Sequence, residues 1–114
     1  MTNLREIEPY NEMGEPVLHT YLEYLGPNED NASGRSNKFW EVAVLHDAKQ
    51  GVYLVVRRWG RYGSKGQVKP EKSYSRSAAK RKARGYAKKK REKGYTREVD
   101  VITRLGLLTE PEAA

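Results

Sequence analysis

Three arginines and a tryptophan fall within five residues: Arg57, Arg58, Trp59 and Arg61. Gly60, Gly63 and Gly66 punctuate the same stretch, and Lys65 sits beside the last of them. A guanidinium is a planar fork of donors that matches a phosphate in two bonds. An indole offers a flat face to a sugar or base, worth about 1–3 kcal/mol per base stacked. The glycines let the backbone take positive φ or approach a neighbour closely. Trp59 has a second reading, a ring packed on a sheet, as large aromatics often are. Arg61 also has one, a surface ion pair with a carboxylate such as Glu41.

A second basic constellation lies downstream. Lys80, Arg81, Arg84, Lys88 and Arg91 line one flank of a helical pattern. Apart from Glu92, four residues after Lys88, acids at the i,i+4 positions that would neutralise them are missing, so the like charges repel along the helix. That repulsion points to a polyanion as partner rather than to a merely solvated face.

Catalytic chemistry has little to work with. The chain has no cysteine, hence no disulfide and no thiolate nucleophile or metal ligand. His19 and His46 are too few for a metal cage and read as ordinary surface or strand residues. No glycine-flanked serine or carboxylate pair stands in a recognisable catalytic setting. The Gly60–Gly66 stretch lacks the Gly-Lys-Ser/Thr order that opens a nucleotide-binding helix. The expectation is a chain with no catalytic residues, no metal and no cofactor.

The whole chain is 114 residues with a net charge of +7, a pI of about 9.7 and a mean hydropathy of −0.92. Its charge is unevenly placed. Before Gly34 the only Lys or Arg is Arg5, against seven acids, whereas Lys72 to Arg97 holds twelve Lys and Arg against Glu92 alone. A field of one sign on that scale favours nucleic acid, with anionic membrane behind it. No apolar run is long enough to span a bilayer, and the start of the chain has no signal-peptide pattern. These features together give the expectation of a cytoplasmic protein, nucleoid-associated if bacterial or phage, with no membrane partner.

The elements that must position these residues follow from the pattern. Residues 1–16 read as a mobile or loosely docked acidic arm that competes with polyanion for the basic surface. Val17–Leu25 alternates as a strand, with Leu18, Thr20, Leu22 and Tyr24 on one face. Residues 26–37 are a polar loop dense in turn formers. Lys38–Leu45 is the clearest strand, with Trp40, Val42 and Val44 on one side and Phe39, Glu41, Ala43 and Leu45 on the other. Trp40 reads as core, and both faces are expected to be partly covered. Residues 46–51 close a hairpin into a return strand over Val52–Trp59. There Tyr53, Val55, Arg57 and Trp59 oppose Val52, Leu54 and Val56. Gly66–Tyr74 is a further strand that Pro70 confines to an edge or a bulge. Ser75 caps a helix over residues 75–93, with Ala79, Ala83, Tyr86 and Ala87 as its apolar stripe and Lys90 snorkelling beside them. Gly94 ends it. Gly85, inside the helix, implies close packing against the sheet or a marginal helix. Glu98–Ile102 reads as a last short strand.

Asn37-Lys38-Phe39-Trp40-Glu41-Val42, then Arg58-Trp59-Gly60-Arg61, Gly63 and Gly66-Gln67, resemble the WGR domain, a family named for the tripeptide at residues 59–61. Ser75, Ala79 and the closing Lys93-Gly94-Tyr95 fall where that family has its helix and terminal glycine-tyrosine. The resemblance covers roughly residues 17–95. It implies an antiparallel sheet with one helix, as found in DNA-dependent poly(ADP-ribose) polymerases and in bacterial proteins. In the polymerases it implies binding at DNA breaks, on the strand carrying the 5′ end. Carried over, ring stacking falls on Trp59, the phosphate or relay arginine on Arg61, and polar contacts to the strand end on Asn37 and Lys38. The helix departs from the family in its small Ala83 and Ala87 and in its basicity. Nothing resembles a catalytic ADP-ribosyltransferase domain.

The expectation is an α+β fold, an antiparallel β-sheet packed against a single α-helix. It divides into an arm (1–16), the WGR-like domain (17–95) and a C-terminal extension (96–114). The expected function is non-catalytic, backbone-directed and weakly sequence-specific DNA binding, with a preference for ends or breaks. Its residues would be Asn37, Lys38, Arg57, Arg58, Trp59, Arg61, Lys65, Lys80, Arg81, Arg84, Lys88 and Arg91. The alternatives are an interaction module for an acidic protein, and RNA or single-strand binding. The sequence does not rank oligomeric states: the edge near Pro70 and the apolar Arg104–Leu108 are both candidate contacts.

Overall fold

The computed structural model describes residues 4–27 and 35–97. Five antiparallel strands form one sheet: β1 (Leu18–Pro27), β2 (Arg35–Asp47), β3 (Val52–Arg61), β4 (Gln67–Ser73) and β5 (Thr96–Arg97). The spatial order is β4-β3-β2-β1-β5. One helix, α1 (Arg76–Glu92), packs across the sheet. The α+β architecture expected from the pattern is therefore the one observed. Pro70 lies on the edge strand β4, paired with Val56, where its missing N–H costs the ladder nothing. Residues 28–34 and the expected strand at Glu98–Ile102 lie outside the described residues, as does most of the C-terminal extension.

The period-two alternation of β2 and β3 sorts side chains onto two faces as expected. Trp40, Val42, Val44 and Val55 bury themselves with Leu22 against Ala79, Ala83 and Ala87 of α1. Small residues at i, i+4 and i+8 let the helix backbone come close to the sheet. Ser75 caps α1, its hydroxyl accepting from the Ala78 amide at 3.2 Å. Gly94, at φ +100°, closes it. A Cβ at Gly85 would meet nothing within 4 Å. Close packing against the sheet is therefore not why this position is glycine.

The opposite face holds a second core of Ala43, Leu45, Val52, Leu54 and Val56, so both faces of the sheet are covered, as expected. Two 3₁₀ turns, Leu4–Glu6 and Tyr10–Glu12, lie across this face. Leu4 and Ile7 are buried, and Tyr10 and Met13 pack on the same cluster. Each fully buried aliphatic side chain stabilises by about 2 kcal/mol. Of the two states expected of the acidic arm, mobile or loosely docked, the structure shows a docked one that caps the sheet. It also lies on the face opposite the helix, so it does not cover the basic surfaces on the helix side.

Candidate nucleic-acid interface

Arg57, Trp59 and Arg61 alternate onto the helix side of β3, toward its C-terminal end. The ladder sets Lys38 opposite Arg61 and Trp40 opposite Trp59. Trp40 is 2% exposed. Trp59 is half-buried, resting on the core with part of its ring accessible. The ring packs against the core, as the structural reading expected, but is less buried than Trp40.

Around this end of the sheet, cations sit on aromatic rings. The Arg57 guanidinium lies 4.2 Å from the Tyr86 ring centroid. The Lys90 ammonium lies 5.3 Å from that of Tyr95, and the Lys38 ammonium 5.7 Å from that of Tyr24. Tyr24 and Tyr95 contact each other at 5.5 Å. Each arrangement uses the negative face of a ring to hold a positive head group. The cations are close enough to feel one another. Burial, and then the charges of Lys93, Lys38 and Arg57, push the Lys90 ammonium below the usual lysine range. Tyr24, Tyr86, Tyr95 and Lys90 were not singled out as site residues from sequence, because only the ladder and the helix–sheet crossing bring them together. Tyr62 was also missed. It follows Arg61 directly and is 49% exposed.

Glu71 of β4 borders the cluster. It accepts from Lys82 and from the Tyr86 hydroxyl at 2.8 Å, and stands 3.9 Å from Arg57. The Lys82 hydrogen bond is the main reason its carboxyl is held below the usual glutamate range. These contacts tie β4 to one flank of α1.

The basic ridge occupies the other flank. With 100° between successive residues, Arg84, Lys88, Arg91 and Arg81 turn away from Lys82 and Tyr86. All four are exposed, while Lys80 is half-buried. Among the described residues none of the five has a carboxylate partner. The ridge and Trp59 thus share the helix side of the sheet but not one flank of the helix. The cations of the helix side therefore fall into two groups, one toward Glu71 and Tyr86 and one on the far flank of α1.

Arg58 departs from expectation. Its alternation takes it to the face away from the helix, where it is 1% exposed. Its Nε donates to Glu41 at 2.5 Å and its Nη1 to the Lys65 carbonyl at 2.6 Å. Its guanidinium also lies 4.1 Å from the Phe39 ring. A side chain committed in this way is not a surface phosphate contact. Glu41, pictured from sequence as a partner for Arg61, serves Arg58 and His19 instead. Arg61 itself is exposed, as are Asn37, Lys38 and Lys65. The Asn37 carbonyl accepts from the Tyr62 amide at 2.9 Å, which ties β2 to the loop after β3.

Among the described residues, no three His, Cys, Asp or Glu side chains are placed to hold a metal ion, and no helix is long and apolar enough to cross a membrane. A concavity lined by Tyr10, Met13, His46, Leu54 and Pro70 lies by the N-terminal cap. It mixes acids and bases on its rim and converges on no single chemistry.

Poly [ADP-ribose] polymerase 2 of Arabidopsis thaliana is 40% identical over 47 residues, 41% of this chain. The chain spans only 7% of that polymerase. No solved structure matches the chain. The pattern of the WGR domain matches residues 25–101, a span that takes in β2, β3, the glycine-rich loop, β4 and α1. The chain belongs to the WGR domain family.

Proposed function

We propose that this chain binds nucleic acid without catalysing a reaction, with duplex DNA as its preferred ligand and a duplex end as its preferred feature. Family membership supports nucleic-acid binding at a coarse level. The observation that carries the finer reading is the cluster around Trp59. Arg57, Lys38 and Lys90 are held on tyrosine rings, Arg61 and Tyr62 are exposed beside them, and Lys90 is weakened as a cation by burial first and then by its neighbours. A polyanion would relieve that repulsion while a terminal nucleotide stacks on Trp59. The ridge from Lys80 to Arg91 would meet a separate length of backbone. Contacts of this kind position a protein without reading bases, so sequence preference would be weak.

Fluorescence anisotropy with blunt duplex, closed circular duplex, single strand and RNA at two salt concentrations tests the reading. The expected result is tightest binding to the blunt duplex, with log K falling by about 0.9 for each phosphate contact per decade of salt. Equal affinity for circular and blunt duplex would remove the end preference. Absence of binding to all four would leave an acidic protein as the partner.

A further inference from the structure

The loop from Arg61 to Gly66 carries three exposed side chains of the candidate site: Arg61, Tyr62 and Lys65. It folds back onto the strand it leaves. A Cβ at Gly60 would stand 2.9 Å from the Gly66 Cα, and one at Gly66 only 2.4 Å from the Trp59 carbonyl oxygen. Such an approach is open only to glycine. The loop has hydrogen bonds of its own, from the Ser64 amide and hydroxyl to the Arg61 carbonyl at 3.0 and 2.7 Å. Two side chains reach it from within the protein: the Phe39 ring lies against Gly66, and Arg58 donates to its backbone. The Arg58 Nη1 donates to the carbonyls of Lys65, at 2.6 Å, and Ser64, at 3.4 Å.

Arg58 is in turn held from behind. Its Nε donates to Glu41 Oε1 at 2.5 Å, and its guanidinium stacks on Phe39. Glu41 is fully buried, and the same Oε1 accepts from the Leu4 amide at 3.0 Å. Its Oε2 is 2.6 Å from His19 Nε2. The chain of contacts therefore runs from the N-terminal cap, through Glu41 and Arg58, to the carbonyls of the loop. Charge-assisted bonds in a dry site are strong and directional. Only a guanidinium can span the two ends, since lysine offers a point charge on a flexible stem.

We propose that Glu41 and Arg58 are positioning residues for the nucleic-acid loop: the buried pair fixes the backbone of residues 61–66 and so aims Arg61, Tyr62 and Lys65 outward. Its binding consequence rests on the function proposed above; the fixing of the loop does not. The loop carbonyls satisfy the Nη1 of the buried guanidinium, so the bonds that complete the pair also pin the loop.

Three variants test this: R58K, the isosteric E41Q, and the doubly neutral E41Q/R58M. Removing both charges of a buried pair avoids leaving one uncompensated. Each is compared with wild type by circular dichroism, thermal melting, amide hydrogen exchange at Tyr62 and Ser64, and affinity for blunt duplex. Each is then repeated in an R61Q/K65Q background. In folded variants the two amides exchange faster, duplex affinity falls about tenfold, and the salt slope becomes shallower by about 1–2, the loss of one or two phosphate contacts. In the R61Q/K65Q background the same substitutions cost no further affinity. Folded variants with unchanged exchange at Tyr62 and Ser64 overturn the proposal. So does a loss of affinity that adds in full to that of R61Q/K65Q. Should wild type bind no nucleic acid, the proposed function falls, while the exchange rates still decide whether Arg58 holds the loop.

Discussion

Trp59 stands directly across the β2–β3 ladder from Trp40, on the same face of the sheet, yet one indole is buried and the other half-open. The difference comes from position across the sheet, where β2 is the central strand and β3 lies next to the edge. Trp40 lies deeper in the core with Leu22 and the alanines of α1, while Trp59 rests against that cluster from outside. Replacing Trp40 with alanine is expected to destabilise the fold by about 3–5 kcal/mol. Replacing Trp59 with alanine is expected to weaken duplex-end binding by about 1–3 kcal/mol, with a smaller loss in melting temperature. Melting curves and anisotropy on the two variants check the division of labour.

Because the ridge and the Trp59 cluster occupy opposite flanks of α1, their contributions should be independent. R84Q/K88Q is expected to reduce affinity for blunt and circular duplex alike. The energetic effects of R84Q/K88Q and W59A should add within about 0.5 kcal/mol. A strong coupling between them in a double-mutant cycle would indicate one shared surface.

Removal of residues 1–13 strips Leu4 from the second core, takes away the buried Ile7, and removes the Leu4 amide from Glu41. The expected outcome is a drop in stability of several kcal/mol, by about 2 kcal/mol for each buried aliphatic side chain. Tighter DNA binding is not expected, since the segment lies on the face away from the basic surfaces. Chemical denaturation and anisotropy of the shortened chain decide between these outcomes.

Gly85 interrupts α1 at an exposed position where a side chain would meet nothing. Gly85→Ala should therefore stabilise the protein by about 1 kcal/mol, through the helix propensity of alanine and the reduced entropy of the unfolded chain. Duplex affinity should not change. A melting temperature equal to or below that of wild type would show that this position has another role.

Lys90 loses proton affinity on folding, through burial first and then the charges of Lys93, Lys38 and Arg57. The folded state therefore binds fewer protons than the unfolded one as pH rises from the depressed folded value to the ordinary lysine value. Stability gains from this residue across that alkaline window, and the penalty is present at neutral pH. Lys90→Met should raise the melting temperature at pH 7, reduce that alkaline gain and weaken duplex binding. Glu71 works in the opposite direction. Its carboxyl is held low by Lys82, so its contribution is present above the ordinary glutamate value and lost as pH falls through the depressed one.

Much of the molecule was legible before any coordinates. Alternation in β2 and β3 assigned Trp40 and Val42 to one face and Ala43 and Leu45 to the other, because a strand's side-chain period is two and allows no third choice. The same rule placed Ala79, Ala83 and Ala87 together, with the helical period in place of two. The family signature at residues 37–42 and 58–67 was equally readable, since it rests on order and identity alone.

Tertiary structure decided the rest. Composition marked Arg58 as one cation among several; only the fold showed that it faces Glu41 in a dry interior, because partners 17 residues apart meet through strand pairing. Low local hydrophobicity left residues 1–16 open between a mobile and a loosely docked arm, and the open second face of the sheet gave Leu4, Tyr10 and Met13 somewhere to dock. A linear pattern records which face of its own element a residue occupies. It does not record what lies opposite that face, and at Trp59, Arg58 and Leu4 the opposing surface determines the role.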